Sequence, residues 1–272
     1  MNSTTNHFLQ VRAVDEVRRA KDVIAVGDRL TNFYVGDAAL ETWIRRKQLL
    51  INSDAQTLLM LRERNGFRHL YFVSTDLNDL ADKLSALIAQ SKGIISTDLI
   101  GDCSEVSTAF NRAGFERYVT LTRMFKLKSI EKATVAEDDW FAAPNETNAV
   151  EEIIYENMDP LCEQIPDSED IQVAVEHQQV LAARHGSELA AILYFDRHGV
   201  TATLRFWAGR KKFRGLGYGK TVYDRYIALN ADARRLILWV RDDNVKVKQI
   251  YLSDGMSLDS LHDEVWLWKG MV

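Results

Sequence analysis

The amino-acid sequence predicts an α/β fold of the α+β kind, in two halves that each contain a mixed, mainly antiparallel sheet flanked by helices. Three observations lead to this prediction. Amphipathic helical patterns alternate with short apolar strand patterns along the 272 residues. Three strand patterns of the second half follow one another across tight turns. Both halves end in a helix, a glycine and a strand. With 46% hydrophobic and 27% charged residues, the composition is that of a globular protein.

Composition and charge exclude several classes of function. The net charge of −5 does not favour general binding to nucleic acid, and no stretch approaches the ~20 apolar residues of a membrane span. The N-terminus lacks the basic and apolar regions of a signal peptide. Cys103 and Cys162 are too few for a disulfide framework and lack metal-ligand spacing. We therefore expect a cytoplasmic protein without a metal site, whose partners are neither nucleic acid nor membrane.

The first half alternates strand and helix patterns up to about residue 130. Asn65-Gly66 is typical of a hairpin turn, Thr75 or Asp76 is the predicted N-cap of a long helix, and Gly114 is typical of a helix end. The predicted elements are a strand and a helix within 8–26, a helix at 37–47, strands at 49–51, 56–61 and 69–73, a helix at 77–90, a strand at 94–100, a helix at 106–112 and a strand at 118–126.

A loop-like stretch at 134–147 separates the halves, so the predicted domains are 1–130 and 131–272. In the second half, two histidine-glycine pairs mark turns and Gly255 marks a helix end. The predicted elements are helices at 148–158 and 169–177, strands at 180–184, 188–195 and 201–208, a helix at 221–229, a strand at 236–240, a helix at 246–252 and a strand at 262–268.

The stretch from Arg205 to Lys220 carries the clearest functional signal. A short aromatic strand pattern ends in it, and Gly215, Gly217 and Gly219 stand at every second position before a helical pattern. Glycines there leave backbone N–H groups open to a ligand, and the partial positive charge of a helix start favours phosphate. The stretch therefore predicts a pyrophosphate-binding turn, with a solvated surface turn as the alternative. Basic side chains surround the same point: Arg210, Lys211, Lys212, Arg214 and Lys220.

The spacing of these glycines fits neither of the common nucleotide-binding loops. A Walker loop places its first glycine six residues before the lysine, whereas Gly215 stands five residues before Lys220. A Rossmann fingerprint places its third glycine one residue later than Gly219. The turn is therefore of another kind.

The order of elements and the residues around this turn resemble one family. Arg214-Gly-Leu-Gly217-Tyr-Gly219 is similar to the pyrophosphate motif of the Gcn5-related N-acetyltransferases (GNAT), which reads Arg or Gln, two residues, Gly, one residue, and Gly or Ala. As in the family, the next strand ends in a polar segment with Asn244, and the following helix carries Tyr251 and ends in a glycine and an apolar residue. The resemblance covers residues 133–272.

The resemblance implies that acetyl-CoA, or another acyl-CoA, lies in a gap between the strands at 201–208 and 236–240. The backbone of Trp207, Ala208 and Gly209 would pair with the pantetheine arm and polarise the thioester carbonyl. One departure lies here, because the family often has Val-x-Pro where this chain has Gly209-Arg-Lys. The residues expected to hold the pyrophosphate are Arg214, Gly215, Leu216, Gly217, Tyr218, Gly219 and Lys220.

The resemblance also implies roles for two residues beyond the turn. Tyr251 would protonate the leaving CoA thiolate, and Asn244 would bond to the pantetheine or to the backbone beside it. The family's glutamate on the strand at 201–208 has no counterpart here. Glu156, Glu188 and Asp196 are possible acids without supporting spacing, so no general base is assigned.

The first half resembles a second, degenerate copy. Phe110-Asn-Arg-Ala-Gly-Phe115 aligns with Tyr251-Leu-Ser-Asp-Gly-Met256, so phenylalanine replaces the tyrosine. The region from Ser74 to Lys83 contains aspartates in place of the phosphate motif, and these would repel a pyrophosphate. The alternative is an unrelated α/β domain.

The function implied is transfer of an acetyl group from acetyl-CoA to a primary amine of a small molecule or peptide. A non-catalytic module that binds or senses acyl-CoA, or that joins subunits, is the first alternative. Aminoacyl transfer by tandem domains of the peptidoglycan-bridge type is the second. A homodimer formed through apolar strand edges is compatible with the sequence.

Overall fold

A computed structural model of the chain describes residues 7–24 and 29–270. The polar N-terminal residues 2–6 and the end of the segment predicted at 8–26 lie outside the described residues. Every helix in the described ranges is too short or too polar to span a lipid bilayer. The chain divides into two units. One contains the described residues up to Leu121 and from Leu261 onward, and the other runs from Thr122 to Ser260.

The first unit combines short helices with a sheet of short strands. Its helices are α1 (Val14–Val23), α2 (Asp37–Arg45), α3 (Leu77–Gln90) and α4 (Ser104–Arg112). Its strands before α4 are β1 (Leu9–Gln10), β2 (Leu30–Thr31), β3 (Leu49–Ser53), β4 (Thr57–Glu63), β5 (Phe67–Ser74) and β6 (Ile94–Ile100). After α4, strand β7 (Glu116–Leu127) leads into the second unit.

Strands β4 and β5 lie at the centre of this sheet. Nearly every side chain of both is therefore buried. They are joined by the predicted hairpin turn, where Gly66 has a φ of +86° that other residues rarely adopt. β1, β3, β4 and β5 are antiparallel neighbours in that order, β2 pairs with β5, and β6 joins β5 in parallel. One apolar cluster packs α3 and α4 on the sheet and another packs α1 and α2.

The second unit contains the elements that resemble the acyltransferase family. Its helices are α5 (Thr147–Asn157), α6 (Ser168–Glu176), α7 (Tyr218–Leu229) and α8 (Val245–Ser253). Its strands are β8 (Val180–His185), β9 (Glu188–His198), β10 (Thr201–Gly209) and β11 (Arg235–Arg241), and β12 (Ser257–Trp268) follows α8. Single 3₁₀ turns lie at Asp138–Trp140, Pro144–Glu146 and Lys211–Phe213.

The sheet of the second unit opens at one end. β8, β9 and β10 form the predicted antiparallel meander, and β11 lies parallel to β10. The β10–β11 pairing stops at Leu204 and Leu238, although both strands continue. At the same place β10 has a bulge, since Leu204 pairs with Phe195 and Phe206 with Tyr194, so that Arg205 is skipped. The two strands therefore separate toward their C-terminal ends, which creates a gap.

The predicted fold class, two tandem units that each contain a mixed, mainly antiparallel sheet flanked by helices, is confirmed. The two units have other bounds than the predicted domains 1–130 and 131–272, because the first ends at Leu121 and also includes the described residues from Leu261 onward. The chain's last strand pairs antiparallel with β6 of the first unit, from Asp263 opposite Ile100 to Trp268 opposite Ile95. Helix α7 also begins at Tyr218, earlier than the predicted 221, because the glycine turn leads directly into its first turn.

Candidate active site

The gap between β10 and β11 opens into two adjoining cavities. The larger, of about 800 Å³, lies among the ends of both strands, the α5–α6 connection and the first part of α8. The smaller, of about 320 Å³, lies between the end of β10 and the glycine turn before α7. A long, bent ligand can therefore lie along both. The residues that line both cavities are Asn157, Trp207, Arg214, Val247 and Ile250.

The backbone of the glycine turn is set by two left-handed residues. Gly215 has a φ of +86° and Gly217 a φ of +88°, where an L side chain is strained. A Cβ placed at either position would contact nothing within 4 Å, so the space in front of the turn is open. Gly219 has ordinary φ, and its Cβ would stand 3.6 Å from the Trp207 indole nitrogen. The first two glycines therefore shape the turn and the third packs against Trp207.

The start of α7 is suited to an anion. Its N-cap is Gly217, so no side chain accepts hydrogen bonds from the N–H groups of its first turn. Those groups have no partner inside the helix, and the dipole places partial positive charge on them. Arg214 adds a guanidinium beside them, and its Nη2 donates to the neutral Asn157 Oδ1 at 3.1 Å. Because Asn157 is uncharged, this hydrogen bond does not neutralise the positive charge of Arg214, which remains able to attract an anion.

Three other cations near the turn, those of Arg210, Lys212 and Lys220, are engaged with carboxylates. Arg210 forms ion pairs with Glu152 and Glu156 at 2.8 and 3.3 Å. Lys220 pairs with Asp224 one turn along α7, and both side chains are exposed. Their contribution to anion binding is therefore smaller than the count of basic residues in the sequence suggested.

Trp207 ties the end of β10 to the start of α7. Its indole N–H donates to the Gly219 carbonyl at 2.9 Å, and its ring stacks on Tyr223 at 4.9 Å between centroids. The ring also lies 5.8 Å from that of Tyr251. The sequence predicted a role for the Trp207 backbone only, whereas the structure shows that its side chain positions the glycine turn.

Tyr251 lies in α8 and lines the larger cavity. It is 4% exposed, and this burial raises the pKa of its hydroxyl above the ordinary value. The hydroxyl therefore keeps its proton throughout the neutral pH range. A protonated phenol beside the gap can act as a general acid.

Two asparagines stand at the ends of helices beside the gap. Asn244 lines the larger cavity and is the N-cap of α8, where its Oδ1 accepts from the Val247 N–H at 3.4 Å. Asn157 ends α5, and its Nδ2 donates to the carbonyls of Ile153 and Gly209 at 2.8 and 3.3 Å. It thereby joins α5 to the end of β10 and to Arg214. Asn157 was not among the predicted site residues, since a single asparagine at a helix end carries no signal of this role.

The acids considered as bases are all held in ion pairs. Glu188 bonds to Lys212, Asp196 to Arg205, and Glu156 to Arg210. Only Glu156 of these three lines either cavity.

The structure brings most of the predicted site residues together. Tyr251 and Asn244 line the larger cavity, whereas Leu216 and Lys220 are exposed and line neither. The predicted residues on the smaller cavity are Trp207, Ala208, Gly209, Arg214, Gly215, Gly217, Tyr218 and Gly219. The arrangement has room for a long anionic ligand that extends from the start of α7 to Tyr251.

Solved structures share this fold along nearly the whole chain. A tandem GNAT protein from the clavulanic acid biosynthesis pathway has a TM-score of 0.56 and 11% identity, and the match covers 98% of this chain and 99% of that one. A GNAT-family acetyltransferase from Colwellia psychrerythraea has a TM-score of 0.53 at 13% identity, covering 96% and 98%. A Gcn5-related N-acetyltransferase from Sphaerobacter thermophilus has a TM-score of 0.56 at 10% identity, covering 82% and 81%.

The chain therefore has the GNAT fold in two tandem copies. No protein-family model matches the sequence, and no curated protein matches it. At 10–13% identity the similarity extends to the fold, and the chemistry has to be argued from the residues of the gap.

Proposed function

We propose that this protein is an acyl-CoA-dependent N-acyltransferase that moves an acetyl group from acetyl-CoA to a primary amine of a small molecule or peptide. The observation that carries the proposal is the convergence of two features on one gap. An uncapped helix start behind two left-handed glycines and a buried, protonated tyrosine both face it.

The pyrophosphate would be bound at the start of α7. Its backbone N–H groups would donate to the phosphate oxygens, and Arg214 would add a charge-assisted bond. Because Gly215 and Gly217 carry no side chains into this space, the phosphates can approach the backbone closely.

The thioester would lie where β10 leaves β11. Beyond Leu204 the N–H groups on that side of β10 are no longer paired with β11, so they can bond to the pantetheine and polarise the carbonyl. Tyr251 would supply a proton to the CoA sulfur as the carbon–sulfur bond breaks. The acceptor nitrogen becomes the amide.

Titration calorimetry with CoA tests the cofactor site. The wild type is expected to bind, and Gly217→Glu is expected to weaken binding by at least about 100-fold because it places a carboxylate where the phosphates bind. Gly199→Glu is the matched control. Gly199 also has a positive φ, of +57°, with nothing within 4 Å, but lies in the β9–β10 turn. Equal affinity of wild type and Gly217→Glu contradicts the proposed site.

Release of CoA thiol from acetyl-CoA in the presence of an amine panel tests the reaction. An acyltransferase releases thiol only when an acceptor is present. Tight binding of acetyl-CoA without release for any amine supports the acyl-CoA-binding module instead. Failure to bind CoA at all leaves aminoacyl transfer as the alternative, because that reaction does not use the CoA site.

A further inference from the structure

The connection between α5 and α6 supplies one wall of the larger cavity. Asp159 and Glu163 line that wall, and the same cavity is lined by Tyr251, Trp239 and Arg241. Glu163 carries no motif in the sequence, and only the folded chain brings it to the gap.

A single capped turn holds the Glu163 carboxylate in place. Asp159 begins the turn, where its Oδ1 accepts from the Leu161 N–H at 3.0 Å and its carbonyl accepts from the Glu163 N–H at 3.0 Å. Glu163 Oε2 in turn accepts from the Asp159 N–H at 2.5 Å. This reciprocal arrangement resembles a capping box and restricts the carboxylate to one position. Within the described chain, Oε1 makes no hydrogen bond to protein.

The charges around Glu163 leave an excess of negative charge. Arg241 bonds through Nη1 to Asp159 at 3.2 Å and through Nη2 to Asp243 at 2.8 Å. Its guanidinium therefore faces two carboxylates before Glu163 is counted. Burial raises the pKa of Glu163 above its ordinary value, and the charges of Asp159 and Asp243 add to this, whereas the Asp159 N–H and Arg241 oppose it.

We propose that the larger cavity takes the acceptor amine in its ammonium form and that Glu163 removes its proton. This inference rests on the proposed function and deepens it, because it names the base and the charge of the acceptor. The carboxylate held by the capped turn lines the same cavity as Tyr251, and the acceptor cation offsets the negative excess around Arg241.

The proton balance of the reaction is complete with these groups. The ammonium gives one proton to Glu163, and the resulting neutral nitrogen attacks the thioester carbonyl carbon. The carbon–nitrogen bond forms, the carbon–sulfur bond breaks, and Tyr251 gives a proton to the sulfur. The second nitrogen proton, released as the amide forms, restores the Tyr251 hydroxyl. Glu163 passes its proton to solvent, so the products are an amide, CoA thiol and one proton.

One aromatic residue of the lining also suits a cation. Trp239 lies on β11 with its side chain half-buried on the cavity wall. An indole face attracts ammonium groups through its quadrupole. We therefore expect alkylamines, which are cationic at neutral pH, to be better acceptors than aromatic amines, which are not.

Glu163 could alternatively serve only to cap the turn, and Glu163→Gln separates the two roles. The glutamine Oε1 can still accept from the Asp159 N–H, so the turn is kept while the base is removed. The matched control is Glu169→Gln, the same change at an exposed position of α6 outside both cavities. Glu163→Asp is a second variant, which keeps a carboxylate at shorter reach.

The experiment measures CoA thiol release from acetyl-CoA with an alkylamine from pH 5 to 9, together with CoA affinity and thermal stability. Glu163→Gln is expected to lower kcat by about 100-fold or more and to lose the acidic limb of the pH profile, with unchanged CoA affinity. Glu163→Asp is expected to have a lower kcat but to keep the fall in rate at acidic pH. Glu169→Gln is expected to match the wild type.

Each outcome separates this inference from the proposed function. An active wild type whose Glu163→Gln variant keeps both rate and acidic limb overturns the assignment of the base but leaves the acyltransferase intact. A preference of the wild type for aromatic over alkyl amines overturns the ammonium acceptor. A wild type that binds CoA but releases no thiol with any amine overturns the proposed function, and the inference with it.

Discussion

Helices α3 and α7 follow the third meander strand of their own units, yet their first turns differ. Residues 75–76 connect β5 to α3, whereas residues 210–217 connect β10 to α7. In α3 the Asp76 Oδ1 accepts from the N–H groups of Asn78 and Asp79, both at 2.8 Å. In α7 no side chain caps the helix.

This difference shows how one fold can fill the start of a helix or leave it open. The N–H groups at the start of α3 are already satisfied by a carboxylate of the same chain, which is the ligand that a helix start favours. At the start of α7 the same groups are left for a ligand, and the longer glycine turn gives the ligand room. The first unit thus has a helix cap at the position where we propose an anion site in the second.

The last helix of each unit repeats the contrast. Phe110 of α4 is fully buried and packs against Phe72 and Phe115, with ring centroids 5.6 and 5.1 Å away. The corresponding Tyr251 of α8 is almost as buried but lines a cavity. One aromatic position therefore serves packing in the first unit and is available for proton transfer in the second.

The largest expected effect comes from making the second unit resemble the first at this position. Tyr251→Phe removes the hydroxyl and keeps the ring, so kcat for thiol release is expected to fall by about 100-fold. CoA affinity, measured by calorimetry, is expected to stay unchanged. Tyr155→Phe, at an exposed tyrosine of α5 that lines neither cavity, is the control. A rate loss below about threefold contradicts the assignment of Tyr251 as general acid.

Each unit contains a carboxyl group whose pKa is raised, but the two groups lie in different surroundings. Glu163 lines a cavity, whereas Asp263 is buried in the first unit, where burial and the charge of Asp98 raise its pKa to about 9. The folded chain therefore binds a proton that the unfolded chain has lost at neutral pH. Stability should fall as pH rises from about 4 toward 9.

Asp263→Asn replaces the carboxyl group with an uncharged amide of similar shape, so folding no longer requires that this side chain bind a proton. The Tm of the variant is expected to exceed that of the wild type by several degrees at pH 8, and the difference should shrink toward pH 4. Asp82→Asn, at an exposed position of α3, is the control. A constant difference across this range would show that the carboxyl titrates normally.

A smaller effect is expected from the side chain that anchors the glycine turn. Trp207→Phe keeps an aromatic ring but loses the hydrogen bond to Gly219, whose net value is about 1 kcal/mol. The Kd for CoA is expected to rise by about five- to tenfold. The kcat for thiol release, measured at saturating acetyl-CoA, is expected to stay unchanged. Trp140→Phe in the same unit provides a matched tryptophan outside both cavities. Unchanged CoA affinity would show that the turn keeps its shape without the indole.

The smallest effect should come from removing the cap that fills the start of α3. Asp76→Ala is expected to cost about 1 kcal/mol of stability, whereas Asp76→Asn keeps an acceptor and should cost less. Neither variant is expected to change CoA affinity, because the connection before α3 lacks the glycine turn. A second CoA binding event in Asp76→Ala, seen by calorimetry, would show that the cap alone closes the site of the first unit.

Local signals in the sequence predicted the elements and the glycine turn. The predicted bounds of α3 and β6 agree with the structure at both ends, since helix capping and strand patterning depend on neighbouring residues. The left-handed Gly215 and Gly217 follow from the same local rule, because glycine adopts positive φ at little cost.

The residues that complete the candidate site were not predictable in this way. Asn157, Glu163 and Arg241 come from elements far apart in the sequence, and none of them belongs to a recognisable motif. Their contacts arise when α5, the α5–α6 connection and β11 pack around the gap.

By itself, the sequence determined the helices and strands, the tandem order and the glycine turn, because hydrophobic periodicity, helix caps and glycine conformation act over a few residues. The tertiary structure decided which carboxylates line the cavity of Tyr251, which side chain bonds to Arg214 at the turn, and which strand of the first unit pairs with the last strand. These depend on pairing and packing between distant segments, where the energy of a contact is set by the folded surroundings rather than by neighbours in the chain.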